Sequence, residues 1–149
     1  MSLVNEVGGG LDGLSQLRAL IASGRKPGIL VALDFEFVEV EAGKAVFAAR
    51  PGEHAYNPMG AVHGGYAATL LDSACGCAVH SCLTASQAYT TLELKVAYHK
   101  PITKDTGLLR AEGRVLSFGR RAAFAEGKLS DASGKLYASA TSTLLVFDR

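Results

Sequence analysis

At 149 residues the chain has the length of a single domain and can bury a substantial core. A composition of 48% hydrophobic and 19% charged residues is that of a globular protein and excludes a disordered one. The net charge is +1 and there is no basic block, so we expect binding neither to nucleic acid nor to a membrane surface.

The chain shows no targeting or membrane-spanning pattern. Its start lacks a basic region followed by an apolar run, so nothing indicates secretion. The most apolar stretch, residues 61–79, contains His63 and Asp72, which argues against a transmembrane span. We therefore expect a cytoplasmic protein. Because a small domain this apolar often hides surface between subunits, we also expect an oligomer.

The N-terminal residues predict a lead-in with one helix. Residues 1–10 end in three glycines and predict a flexible segment. Residues 11–23 carry leucine and isoleucine at helical spacing and are followed by Gly24, which predicts a short packing helix. We therefore place a domain boundary after residue 27.

Residues 28–51 predict a β-hairpin. Two runs of apolar and β-branched residues are joined at Ala42 and Gly43, a pair typical of a turn. The first run changes phase near Phe37 and Val38, which predicts a β-bulge there.

The segment from Gly64 to about Leu83 predicts one long helix. It is apolar nearly all round and rich in alanine, glycine, serine and cysteine. A helix without a broad polar face is a buried one, and its small residues let neighbouring elements pack closely.

The rest of the chain predicts four antiparallel strands. Residues 90–98 alternate with a period of two, which places Leu92, Leu94, Val96 and Tyr98 on one face. Further strands are predicted over 106–117, 120–130 and 136–147. This order predicts the α+β class, with a single domain over 28–149 in which a sheet of about six strands wraps around the helix.

The cysteine-rich segment does not predict a metal site. In a helix, which turns 100° per residue, Cys75 and Cys82 point to one side and Cys77 and His80 roughly to the other. Cys75 and Cys82 are also about 10 Å apart along the axis, too far for a disulfide. We therefore predict small buried thiols, no metal and no cofactor.

Asp72 is the only Asp, Glu, Lys or Arg between His54 and Leu92. An unpaired buried carboxylate is costly, so it either faces solvent or a partner, or it has a chemical role. The helix begins at Gly64 and Gly65, where the first amides lack an intrahelical acceptor and a substrate can approach the backbone. Such amides can stabilise an oxyanion while a carboxylate activates water or attacks a carbonyl.

The spacing of these groups predicts a shared site. Gly64 and Asp72 are eight residues apart, which is about 12 Å along a helix. Both must come within about 3–4 Å of one carbonyl group. We therefore expect two antiparallel copies of the helix, with Gly64 of one chain facing Asp72 of the other.

The sequence "NPMGAVHGGYAATLLDSA" over residues 57–74 resembles the signature of the hotdog-fold acyl-CoA thioesterases, in their PaaI-like, phenylacetic acid degradation-type branch. The resemblance extends over about residues 28–147, including the order of the strands and the "YHKPI" strand end. The residues on the signature positions are Asn57, Gly60, His63, Gly64, Gly65 and Asp72.

The resemblance implies hydrolysis of acyl-CoA or aryl-CoA thioesters and a role for five residues. Asp72 corresponds to the catalytic carboxylate, as general base or nucleophile, and the Gly64 amide of the partner chain to the oxyanion donor. Asn57 corresponds to the residue that places water or the thioester, and Thr91 to the hydroxyl that orients the water. His63 contacts the thioester region or only braces the helix entry, and both alternatives stay open.

The resemblance also implies a CoA-binding turn. The segment "SFGRR" matches the family's turn that contacts the nucleotide phosphates or pantetheine, with Ser117, Gly119, Arg120 and Arg121 as candidates beside Gly65. In a regular strand the two arginines point to opposite sides, so only one of them reaches phosphate. A surface strand beginning with two arginines is the alternative. The implied assembly is a homodimer that shares its active sites, within a tetramer.

Two other functions fit the same fold. One is a non-catalytic acyl-CoA-binding protein, disfavoured because Asp72 is present and no helix-turn-helix or basic extension accompanies the domain. The other is a hotdog dehydratase or hydratase, disfavoured because the spacing of a paired His and carboxylate is not found. The acyl group itself is not predicted.

Overall fold

Six antiparallel strands wrap around one long helix in the computed structural model, which describes residues 2–149. The helices are α1 Leu3–Gly8, α2 Gly13–Ser23, α3 Gly28–Leu33 and α4 Gly64–His80. The strands are β1 Phe35–Glu41, β2 Lys44–Ala49, β3 Gln87–Tyr98, β4 Leu109–Phe118, β5 Ala122–Asp131 and β6 Leu136–Asp148. Their order in the sheet is β1-β2-β4-β5-β6-β3, so β1 and β3 are the edges.

The predicted central helix is confirmed, although it ends at His80 rather than near Leu83. Its contact with the sheet depends on glycines in the strands. A Cβ built on Gly113 of β4 would lie 2.2 Å from the carbonyl oxygen of Ala74. A Cβ on Gly127 of β5 would lie 3.2 Å from the sulfur of Cys75. The helix therefore rests nearly backbone to backbone on the middle of the sheet.

A bulge in β3 changes the predicted alternation. The register of β3 against β6 shifts at Leu92, so Thr91 pairs with Leu144 and Leu94 pairs with Ser142. Thr91 and Leu94 thus share the face that packs on α4, and Leu92 is left 59% exposed. The prediction that Leu92 shares a face with Leu94, Val96 and Tyr98 is wrong, because a strand with an inserted residue reverses its inward and outward positions.

The prediction of a flexible lead-in is wrong. Within residues 1–10, α1 spans Leu3–Gly8, and α2 follows it on the C-terminal end of α4. The Gly13 N–H donates to the Leu83 carbonyl at 2.9 Å, and a Cβ on Gly13 would lie 1.8 Å from the His80 carbonyl oxygen. Glycine at position 13 therefore permits this close docking. The domain boundary after residue 27 stays a prediction.

The first predicted strand of the hairpin begins too early. Residues 28–33, "GILVAL", form the helix α3 instead of a strand. A six-residue apolar run has too few residues for its periodicity to separate a strand from a helix. The helix ends at Asp34, which adopts a left-handed backbone conformation with φ 56°. The predicted bulge is confirmed, since the register of β1 shifts after Phe37.

The last three strands match their predicted positions within a few residues, with one consequence for the site. β5 begins at Ala122, so Arg120 and Arg121 lie in the turn before it rather than in a regular strand. The prediction that strand geometry separates the two arginines is therefore wrong. Among the helices within residues 2–149, none has the length and apolar character needed to cross a membrane.

Candidate active site

The start of α4 carries one free backbone donor. His63 is the N-cap residue, and its Nδ1 accepts the Gly65 N–H at 2.8 Å. The His63 carbonyl accepts the Tyr66 N–H at 3.0 Å. Within residues 2–149 no acceptor receives the Gly64 N–H. The Gly64 amide is therefore the available donor at the positive end of the helix dipole.

The hydrogen bond from the Gly65 N–H also determines the tautomer of the neutral His63 ring. A ring nitrogen that accepts a hydrogen bond carries no proton, so the neutral ring has its proton on Nε2. Because His63 is exposed, this Nε2–H can donate to a group that approaches the helix start. His63 therefore stabilises the start of the helix through its hydrogen bond to the Gly65 N–H.

Asn57 holds the turn that leads into the helix. Its Oδ1 accepts the N–H groups of Met59 at 2.9 Å and of Ala61 at 3.2 Å. Its own N–H donates to the Ala61 carbonyl at 2.7 Å, and Gly60 in this turn has φ 85°. The oxygen of the Asn57 side chain is therefore engaged in the turn, and its NH₂ group is the part that can reach a ligand.

A cavity of about 350 Å³ opens between this turn, the helix start and the end of β3. Tyr98, the last residue of β3, lies on the helix start, and its hydroxyl donates to the Gly64 carbonyl at 2.7 Å. The cavity lining includes Asn57, His63, Gly64, Tyr98, His99 and Lys100. Polar groups and a free amide therefore meet at one end of α4.

Asp72 lies two helical turns further along α4, where it meets Thr91. The Thr91 hydroxyl donates to the Asp72 Oδ1 at 3.1 Å, and both side chains are half-buried. This contact exists because the bulge at Leu92 turns Thr91 toward the helix. A hydroxyl that holds one carboxylate oxygen leaves the other one free to accept a proton from water.

The surroundings of Asp72 hold neutral side chains. Burial, followed by the charge of Asp72, raises the pKa of both Cys75 and Cys77 to about 12. These thiols are therefore protonated at neutral pH and do not serve as nucleophiles. Burial also raises the pKa of Tyr89, whose ring covers Gly76 one turn beyond Asp72. A Cβ on Gly76 would lie 2.8 Å from the Tyr89 hydroxyl oxygen.

One chain does not bring the amide and the carboxylate together. Gly64 and Asp72 belong to the same helix, eight residues apart, which separates them by about 12 Å. Asn57, His63 and Gly64 thus form one group, and Asp72 with Thr91 forms another. Within the single chain, neither group holds both a free helix-start amide and a carboxylate.

The candidate CoA turn lies at the end of the sheet where β3 begins. Ser117, Gly119, Arg120 and Arg121 are all exposed, and the Gly119 N–H closes the turn on the Ala122 carbonyl at 2.8 Å. Both arginines line a cavity of about 440 Å³, together with Gln87 and Phe147. Gln87 precedes Thr91 by four residues, or about 13 Å of strand. The cationic turn and the Asp72 group are therefore separate features at this end of the molecule.

Sequence reasoning missed Tyr98 and Tyr89. Both tyrosines lie on the helix-facing side of β3, in line with Thr91, because of the bulge at Leu92. Their spacing from Asp72 in the sequence does not reveal them, because they belong to a strand that lies far from Asp72 along the chain. The signal that could have found them is an aromatic residue opposite a helix glycine, namely Tyr98 over Gly64 and Tyr89 over Gly76.

Comparison with known proteins assigns this arrangement to a family. A model of the thioesterase superfamily matches residues 59–138, which contain the helix start, Asp72 and Thr91. The chain belongs to the thioesterase superfamily. It is a thioester hydrolase with the hotdog fold, as the signature over residues 57–74 predicts.

Among its relatives is the 1,4-dihydroxy-2-naphthoyl-CoA hydrolase of Listeria monocytogenes. The two sequences are 28% identical over 119 residues, which cover 80% of this chain and 95% of that protein. The sequence family and the predicted activity class thus agree.

Two solved structures illustrate the similarity of the fold. The E. coli PaaI protein from the phenylacetic acid degradation operon is 19% identical, with a TM-score of 0.75 over 85% of this chain and 88% of its own. The smu.793 protein of Streptococcus mutans, solved with acetyl-CoA bound, is 26% identical, with a TM-score of 0.70 over 77% of this chain and 90% of its own. The predicted likeness to PaaI is confirmed at the level of the fold.

Proposed function

We propose that the protein hydrolyses acyl-CoA or aryl-CoA thioesters, with Asp72 as the catalytic carboxylate. The observation that carries this assignment is the hydrogen bond from Thr91 to Asp72. It orients a carboxylate, the only charged side chain between His54 and Leu92, on a helix whose start offers a free amide. This combination suits the attack of water on a carbonyl carbon.

The reaction adds an oxygen to the thioester carbon and then releases the CoA sulfur. Asp72 accepts a proton from water as the water oxygen adds to the thioester carbon, or Asp72 itself attacks and water later releases the acyl group. The carbonyl oxygen becomes an oxyanion that the Gly64 N–H stabilises. The carbon–sulfur bond then breaks, and the CoA thiolate takes up a proton. Water, a carboxylate and an amide suffice for these steps, so we propose no cofactor.

We propose that the Gly64 amide and Asp72 of one active site come from two chains. The separation of about 12 Å along α4 prevents them from meeting one carbonyl within a chain. β3 is a long edge strand, 12 residues from Gln87 to Tyr98, with one side unpaired in the single chain. Such an edge favours pairing with a second copy. The polar, small-residue side of α4, with Gly65, Thr69 and Ser73, is open for the partner's helix.

We propose that Arg120 and Arg121 bind the phosphates of CoA. Both guanidinium groups are exposed in one turn and line one cavity, so both can reach the same anion. The names of two similar proteins agree with such a substrate, since one is a naphthoyl-CoA hydrolase and the other was solved with acetyl-CoA. The acyl group is left to experiment.

The test is the release of free thiol from a panel of aryl, short-chain and medium-chain CoA thioesters. We expect the wild type to hydrolyse at least one of them. We expect Asp72→Asn to lower kcat by roughly a thousandfold or more, because an amide neither takes a proton nor attacks. The unfolding temperature and the oligomeric state should stay unchanged.

Asp105→Asn is the matched control, since Asp105 is an exposed carboxylate in the short helical turn before β4 and lines neither cavity. Its kcat should equal that of the wild type. Equal rates for Asp72→Asn and the wild type would contradict the role of Asp72. Binding of CoA thioesters without turnover in the wild type would instead favour an acyl-CoA-binding protein.

A further inference from the structure

The two glycines at the start of α4 are held by side chains from three directions. The Tyr98 hydroxyl donates to the Gly64 carbonyl at 2.7 Å, and the His63 ring accepts the Gly65 N–H at 2.8 Å. The Thr69 hydroxyl donates to the Gly65 carbonyl at 2.8 Å. Of these three bonds, the one from Tyr98 is made directly to the residue whose N–H is free.

Glycine is the residue with the greatest backbone freedom, and two in succession give a helix start little stiffness of its own. An oxyanion donor is effective only when its N–H already points at the position of the developing charge. The Gly64 N–H shares a peptide plane with the His63 carbonyl, which accepts the Tyr66 N–H, and the freedom that remains is rotation about the two bonds of the Gly64 Cα. The Tyr98 hydroxyl limits this rotation, because it holds the Gly64 carbonyl in the next peptide plane.

The Tyr98 ring lies close to position 64, where glycine leaves room for it. The backbone of Gly64 is helical, so no unusual torsion angle requires glycine there. A Cβ on Gly64 would lie 2.9 Å from the Tyr98 hydroxyl oxygen and 3.0 Å from the ring carbon that bears it. A larger side chain at position 64 would therefore require the Tyr98 side chain, which is 55% exposed, to move off the helix start.

We propose that Tyr98 is a positioning residue that aims the Gly64 amide at the thioester oxygen. It acts through the backbone of Gly64 and takes no proton. This inference rests on the proposed function, since it needs the Gly64 amide to be the oxyanion donor. Tyr98 and Gly64 belong to the same chain, so each chain prepares the amide that its partner's Asp72 uses.

The test is the steady-state kinetics of Tyr98→Phe with a CoA thioester that the wild type hydrolyses. Loss of the hydroxyl should lower kcat about tenfold and leave KM within about twofold, because an oxyanion donor acts on the transition state and not on the bound substrate. Tyr137→Phe is the matched control. Its hydroxyl bonds at 3.3 Å to Asp131 at the turn between β5 and β6 and not to the helix start, so its kcat should stay at the wild-type value.

A double-mutant cycle with Gly64→Ala separates positioning from a general structural role. If Tyr98 acts through Gly64, then Tyr98→Phe lowers kcat in the wild type but not in Gly64→Ala, where the amide is already displaced. Equal losses in both backgrounds, or a kcat for Tyr98→Phe within twofold of the wild type, would overturn the proposal. Asp72→Asn is measured in the same assay. If Asp72→Asn loses activity while Tyr98→Phe keeps the wild-type kcat, only the role of Tyr98 is rejected.

Discussion

The two ends of α4 differ in what surrounds them, although they belong to one helix with a histidine at each end. At the N-terminal end, His63 is exposed, the free Gly64 amide faces a cavity, and the first two helical residues are glycines. At the C-terminal end, His80 is 6% exposed, and its Nε2 meets the Oε1 of Gln16 at 2.9 Å. The first end is open to a ligand, and the second is closed by α2.

The closed end contributes to stability, and the proposed chemistry belongs to the open end. Burial, together with the charge of Arg149, lowers the pKa of His80 to about 4, so this ring is neutral at physiological pH. A histidine in this state serves packing and one hydrogen bond. The lone carboxylate, Asp72, lies at the border between the two ends, half-buried beside Thr91. We therefore assign the chemistry to the N-terminal half of α4.

The largest expected effect on stability concerns the closed end. The pKa of His80 is about 4 in the folded state and about 6.5 in the unfolded state, so the unfolded state binds the proton more tightly. The contribution of His80 is complete above about pH 6.5 and is lost as the pH falls toward 4. It amounts to about 2 kcal/mol between pH 7 and pH 5.

Urea unfolding of the wild type and of His80→Gln at both pH values measures this contribution. The free energy of unfolding of the wild type should fall by about 2 kcal/mol more than that of the variant, because glutamine does not titrate. Equal pH dependence in the two proteins would show that His80 is not held neutral. The closed end would then lose its distinction from the open one.

A smaller effect is expected at the open end from Thr91. Thr91→Val keeps the shape of the side chain and removes the hydroxyl that bonds to Asp72. We expect kcat to fall about tenfold, since the carboxylate loses its orientation but keeps its charge. Thr90→Val is the control, since Thr90 is the exposed neighbour on the other face of the strand. A normal kcat for Thr91→Val would show that Asp72 needs no hydroxyl beside it.

The smallest effect concerns Tyr66, on the packed side of the open end. Its ring is 4% exposed and meets Phe35 edge to face, and its hydroxyl is buried without a hydrogen-bond partner within residues 2–149. Tyr66→Phe should therefore raise the free energy of unfolding by about 1 kcal/mol. Tyr137→Phe, which loses a hydrogen bond, should lower it slightly. A loss of stability in Tyr66→Phe would mean that the hydroxyl has a favourable contact.

The sequence predicts the parts of the molecule that depend on local pattern. The central helix, the sheet and the residues of the half-sites follow from apolar periodicity and from a spaced signature. The bulge at Leu92 was not predicted, because an inserted residue keeps the strand composition and changes only its phase. The docking of Gly13 on His80 was not predicted either, because it depends on contact between distant segments. Tyr98 was missed for the same reason.

In the proposed active site, Asp72 comes from one chain and the Gly64 amide from its partner. Two inactive variants test it, Asp72→Asn and Gly64→Pro. Proline is tolerated at the first position of a helix and removes the N–H, and the His63 backbone, with φ −59° and ψ 136°, suits a following proline. The Cβ of the proline would meet the end of the Tyr98 side chain, which is 55% exposed and can move aside. The two variants are co-expressed with different tags, and the doubly tagged species is purified.

The decisive measurement is the kcat of this mixed dimer. If the site is shared, one of its two sites combines an intact Asp72 with an intact Gly64 amide, while the other site combines both defects. We predict about half the wild-type kcat, against almost none for either variant alone. A mixed dimer as inactive as its parents would contradict the account, since each site would then belong to a single chain.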